Sequence, residues 1–250
     1  MTDTLTAPHP ALSAVSAARW AAVGGTGAGP LFLAAGLAQG FARDGFDFTR
    51  NAISQLALGA AGWIQTVSFV LTGTLLIAGA AGLRRMLRGG PGATWGPALV
   101  GVFGVSFWAA AAFPADAGAG FPVGAPEETV MSGHGAAHMF GGMIGYLALC
   151  AAFFVLARPL AVRGLRGWAV ASRLVPLAVL AGFTASATSV LAFTAGAGLG
   201  LLWLSAVTAR LATAPAGRRP EARPSAVPAG TDRDGLVPPR RPSLAGGSGR

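Results

Sequence analysis

Between Leu174 and Leu211 the sequence carries one charged side chain, Arg210, in about 38 residues, which is too long for one helical crossing of a hydrocarbon layer about 30 Å thick. Such a stretch reads as two spans, and the break falls best at Thr194 to Gly198. Four further apolar runs precede it, so six transmembrane helices are expected at about 18–41, 62–83, 95–113, 134–156, 174–193 and 196–211. Composition agrees. The chain is 53% hydrophobic and only 11% charged, with a mean hydropathy of +0.58, whereas soluble domains carry roughly 25% charged residues. With so few charges a water-facing surface cannot be built, and lipid is the expected surroundings.

The net charge of +9 does not form a nucleic-acid-binding stripe. All basic residues are Arg, and they sit in short clusters between apolar runs, which is a topology signal. Arg84, Arg85 and Arg88 follow the second span, and Arg158, Arg163, Arg166 and Arg173 lie between the fourth and fifth. Arg210 and the tail follow the sixth. The alternate loops hold only Arg43 and Arg50, offset by Asp44 and Asp47, and a third-to-fourth connection with Asp116, Glu127 and Glu128 and no basic residue. Positive residues are retained on the cytoplasmic side, so an integral plasma membrane protein with both termini cytoplasmic is expected. Trp20, Trp63, Trp95, Trp108 and Trp168 near span ends fit the interfacial preference of indole.

Three regions follow: an unstructured N-terminus over 1–17, a six-helix transmembrane domain over 18–212, and an Arg-, Pro- and Gly-rich tail over 213–250 that cannot assemble a core. The first apolar run exceeds the roughly 7 to 15 residues of a signal-peptide core and is read as a retained helix. From Pro215 onward seven Arg stand against three acids, a balance suited to contact with anionic lipid. Cys150, the single cysteine, has no partner within the chain for a disulfide. Small residues four apart (Gly25 and Gly29, Gly36 and Gly40, Gly141 and Gly145, Gly196 and Gly200) supply close helix contacts where apolar burial drives nothing. Thr184, Thr188 and Ser189 add hydroxyls for hydrogen bonds between helices.

The concentrated polar features fall on the expected outer face. In the first loop, Asn51 is placed to cap a short helix that ends at Gly59, with Ile53 and Leu56 toward the membrane and Asp47, Arg50, Ser54 and Gln55 toward polar surroundings. Pro114 stops the third span just before Asp116. A connection of about 20 residues follows, a length common in lids and binding loops. It ends at His134 and His138, one turn apart and expected to point into the bundle. Two imidazoles at i and i+4 can chelate a divalent metal such as zinc, with Asp116 as the nearest third ligand and Ser54 as a polar assistant to hydrolysis. The glutamate of H-E-x-x-H is missing, so structural hydrogen bonding and a pH-responsive site stand beside the metal reading.

These elements, in this order, resemble the domain of unknown function 998 (DUF998) family of bacterial integral membrane proteins. The resemblance covers about 18–212 and rests on S-x-L at Ser54 and Leu56, G-W-I-Q at Gly62 to Gln65, F-P-x-D at Phe113 to Asp116, and H-G-x-x-H at His134 to His138. It implies an architecture and no reaction. A looser likeness to membrane-embedded metal-dependent amidases of the alkaline ceramidase type lacks the full ligand set, since His9 lies in the N-terminal segment. Three functions remain: a non-enzymatic envelope, interaction or sensing component; an outer-face metal-dependent hydrolase of a lipid or envelope substrate; and a transporter of an uncharged solute. No acidic or basic residue stands midway through a span, which weighs against charged cargo.

Overall fold

The computed structural model describes residues 10–214, with side chains from Gly24 onward. Among the described residues six α-helices run in chain order: α1 (Pro10–Ala42), α2 (Gly62–Met86), α3 (Trp95–Ala112), α4 (Gly133–Val162), α5 (Arg166–Ala185) and α6 (Val190–Thr213). A short 3-10 helix, Ile53–Ala57, lies between α1 and α2, and the described residues contain no strand. Each helix packs on the next, and α6 returns to α1, closing a ring whose middle is crossed by contacts of α6 with α2 and α4. Among the described residues α2 to α6 are each long and apolar enough to cross a membrane.

Backbone-close contacts over glycine join the ring. A Cβ on Gly25 would stand 2.8 Å from Gly79 Cα, one on Gly29 2.7 Å from the Leu201 carbonyl oxygen, and one on Gly73 2.7 Å from that of Gly104. Lipid tails offer no hydrophobic drive for helix association, so such close approach gives dispersion contacts that a larger side chain would prevent. Three of the four expected glycine pairs face neighbouring helices, though Gly25 faces α2 whereas Gly29 faces α6; the fourth, Gly36 and Gly40, instead seats Ile53 and Phe48 of the first loop. Inside, Phe32, Phe69, Phe103 and Phe107 meet edge to face or tilted at 5.1–6.1 Å between ring centres, arrangements that suit the aromatic quadrupole. Outside, Val67, Val70, Leu71, Phe140, Ile144 and Leu177 are exposed, as lipid-facing residues are.

Several boundaries differ from expectation. Helix α1 begins at Pro10, so the segment expected to be unstructured through 17 is helical from there; Pro at a first helical position is preorganised, and the Ala-rich run after it propagates well. The expected disordered tail and Trp20 side chain lie outside the described residues. The last two helices break at 186–189, not at 194–198. There the Ser189 hydroxyl caps α6 by accepting from Ala192 N–H at 3.2 Å, and Thr188 turns back onto Ala185 O at 3.1 Å. Gly196, which looked like a breaker, instead lets α6 approach Gly182. Helix α5 therefore starts at Arg166, not at 174, and α6 is 24 residues rather than short. Helix α4 continues past 156 to Val162 through Pro159. Trp63 and Trp95 are exposed, whereas Trp168 stacks on Trp203.

Candidate functional site

One end of the ring is closed by a cap made of the 43–61 loop and the 113–132 connection. Arg43, just past α1, donates to the carbonyls of Leu56 (3.2 Å) and Leu58 (2.7 Å) and lies over the Phe121 ring at 5.3 Å. It satisfies carbonyls at the end of the 3-10 helix, where no further turn follows to bond them. Phe121 is fully buried and meets Phe46 edge to face, so the connection is anchored to the first loop by an aromatic plug.

Asn51 and Gln55 tie the two segments together. Asn51 is 1% exposed. Its Oδ1 accepts from Asp47 N–H at 2.9 Å, and its Nδ2 faces the carbonyls of Gly118 and Ala119 at 3.5 and 3.4 Å. The expected capping role falls to another residue: Ala52 is the N-cap, and Gln55 reaches back to accept its N–H at 3.0 Å, half of a capping box. The Gln55 amide then donates to Asp116 O and Gly118 O, each at 3.3 Å. Ile53 and Leu56 are buried against the bundle, with Ile53 on Gly36, and do not face the membrane. A five-residue helix lying on the end of a ring has its core beneath it, which reverses that expectation.

Asp116 docks on the start of α4. Ser132 is the N-cap; its hydroxyl accepts from Gly135 N–H at 3.0 Å and donates to Asp116 Oδ1 at 2.5 Å, and its N–H donates to Oδ2 at 2.9 Å. A carboxylate there also meets the positive end of the helix dipole. The Ser132 hydroxyl and N–H, and then the imidazoles of His134 and His138, hold the Asp116 carboxyl below its ordinary range. A side chain at Gly135 would overlap that carboxylate, so the glycine of H-G-x-x-H is sterically required. His138 is half-buried and bonds through Nδ1 to the Phe113 carbonyl at the end of α3, 2.8 Å away. His134 is exposed, with its ring 5.7 Å from Phe113, so only the second histidine turns inward.

The remaining expected site residues spread around this core. Arg50 pairs with Glu127 across the two segments. Asp47 closes its own turn, accepting from Thr49 N–H at 2.8 Å and Thr49 Oγ1 at 2.7 Å, bonds that together with Arg50 hold its carboxyl low. Ser54 is half-buried and takes no part in the bonds between the segments. Among the described residues no three of His, Cys, Asp and Glu are placed to hold one metal ion; Asp116 engages both oxygens with Ser132, and His138 engages one nitrogen with Phe113.

Sequence reasoning missed Phe121 and Gln39 and gave no structural role to Arg43, read as a loop charge, or to Gln65, read as part of the G-W-I-Q element; Gln39 and Gln65 pair at 2.7 Å beneath the cap. Polar residues flanked by apolar ones near span ends carried the only signal. Comparison with curated proteins and with solved structures returns no match. The family model described as "Protein of unknown function (DUF998)" matches residues 26–215, and the chain, an integral multi-pass membrane protein, belongs to that family.

Proposed function

We propose that this protein is a non-enzymatic envelope component that presents its cap to a partner or stimulus outside the plasma membrane, with both termini in the cytoplasm. One observation carries the reading: apart from His134, which is exposed, and Ser54, the candidate polar groups of the capped end are engaged in holding it together. Gln55 and Asn51 hold the connection, Asp116 holds Ser132, His138 holds Phe113, and Arg50 holds Glu127. A catalytic centre needs acid, base or nucleophile groups free to reach a reacting atom. The orientation is supported by Arg84, Arg85, Arg88, Arg163, Arg166 and Arg210, which belong to the opposite end of the ring.

The test is turnover by the purified protein in bilayers carrying lipid and amide substrates. Hydrolysis that disappears in His138→Ala would refute the reading. Its rival is the metal-dependent hydrolase, favoured by the electrostatic influence that both imidazoles exert on the Asp116 carboxyl. Stoichiometric zinc or manganese retained by the wild type after metal-supplemented purification, and lost from His134→Ala and His138→Ala, would select the rival.

A further inference from the structure

Helix α2 carries a polar stripe that the cap does not use. Gln65, Ser68 and Thr72 stand at i, i+3 and i+7, on one face of the helix, and all three are more than nine-tenths buried. Gln39, equally buried, meets them from α1: its Nε2 donates to Gln65 Oε1 at 2.7 Å and to Ala35 O at 3.1 Å. The Gln39–Gln65 pair and the approach of Gly25 to Gly79 fix an antiparallel register that sets Gly36 across from Ser68 and Phe32 across from Thr72. At 1.5 Å per residue the stripe runs about 10 Å along α2, from one turn inside its start to roughly the middle of a 30 Å hydrocarbon layer. Leu76 and Leu83, both buried, continue the same face beyond it.

Four atoms of the stripe have no hydrogen-bond partner: Gln39 Oε1, Gln65 Nε2, Ser68 Oγ and Thr72 Oγ1. Buried polar atoms are almost always paired, and within a bilayer neither lipid nor bulk water can serve them. Their chemistry selects the ligand. One is an acceptor, one a donor, and two are hydroxyls that do both. Exchanging O and N in both amides again leaves one donor and one acceptor. An anion would be repelled by the free amide oxygen, and a cation by the free amide NH2, with no charged side chain in the stripe to compensate. Water gives and takes in equal measure. Ser68 and Thr72 are neighbours on the helix surface, about 5–6 Å apart at Cβ, a span that one water can bridge.

We propose that the α1–α2 seam is an internal water-binding site, with one molecule joining Gln39 to Gln65 and another joining Ser68 to Thr72, supplied from the capped end, where the stripe begins. The site is independent of what the cap does. X-ray radiolysis of the full chain in lipid nanodiscs, after mixing into heavy-oxygen water, tests it, because hydroxyl radicals formed at a bound water label the ring beside it. Phe69, buried and on the same face one turn from Gln65, is the reporter. Heavy oxygen in Phe69 of the wild type, falling to background in Gln39→Leu/Gln65→Leu, is expected. An unlabelled Phe69 in the wild type, or equal labelling in the double variant, overturns the proposal. Ser68→Ala and Thr72→Val give a second reading that does not depend on the amides. In a dry stripe they remove unsatisfied groups and raise Tm, which also overturns it, whereas a hydrated stripe leaves Tm unchanged or lowered.

Discussion

Gly29 is where α1 meets α6 and the ring closes, and replacing it with alanine should open that seam. The added Cβ would lie 2.7 Å from the Leu201 carbonyl oxygen and 2.8 Å from Ser205 Oγ, where ordinary contact begins at 3.4 Å. The two helices must therefore separate by 0.7 Å, the difference between 3.4 and 2.7 Å. Trimming Ser205 gives no relief, because the carbonyl belongs to the backbone. Overpacking of this kind costs about 1–3 kcal/mol, and alanine returns up to about 1 kcal/mol of helix propensity, so Gly29→Ala should lose up to about 2 kcal/mol net. Gly27, two residues away on the same helix, has nothing within 4 Å of its would-be Cβ. Gly27→Ala should instead gain up to about 1 kcal/mol, and because that propensity gain is common to both variants the two alanines should differ by the overpacking cost alone, about 1–3 kcal/mol, or roughly five- to a hundredfold in the folding equilibrium. Unfolding in mixed micelles of mild detergent and SDS, followed by tryptophan fluorescence, measures the contrast. Equal midpoints for the two variants, or a Gly29→Ala protein more stable than wild type, would refute the close-contact account of ring closure.

Asn51→Ala should leave the Asp47 N–H and the Ala119 carbonyl without their partner and take one of three donors from the Gly118 carbonyl, at a cost of about 1–3 kcal/mol; limited proteolysis should then cut the 113–132 connection faster than in wild type, and unchanged cleavage counts against Asn51 as the tie. The Asp116 carboxyl titrates below its unfolded value of 3.8, so its contribution is fully present above that pH and is lost as pH falls through the lower folded value. Tm should fall in that acid window, and the fall should be smaller in Asp116→Asn; identical pH profiles would deny the carboxylate its role. Glu128→Cys should react with an impermeant maleimide in intact cells and Arg88→Cys only after lysis, against the low background of buried Cys150; the reverse pattern inverts the proposed orientation.

Helix positions were legible because hydropathy and span length act locally. The turn at 186–189 was not, because glycines at 194–198 look like a breaker unless one knows that Gly182 lies opposite. His134 and His138 share a helix face by spacing, yet His134 sits on the second residue of α4, at the helix mouth, and ends exposed. Arg43 and Asn51 acquire their roles from carbonyls 13 to 68 residues away. No periodicity announces such partners, since a lone amide beside a span reads the same whether it ends in water or under a lid.

The cap also sets an order on biogenesis. The carbonyls that Gln55 needs are made 61 and 63 residues after it, and those for Asn51 67 and 68 residues after. At roughly 5–20 residues per second, that is an interval of about 3–14 s during which both amides wait at the membrane surface. The first helix pair can lock early through Gln39 and Gln65, but Asp116 has no Ser132 to grip until α4 begins to emerge. A nascent chain halted after the second helix therefore exposes an unfinished polar rim, which water or the insertion machinery must satisfy until the second half arrives.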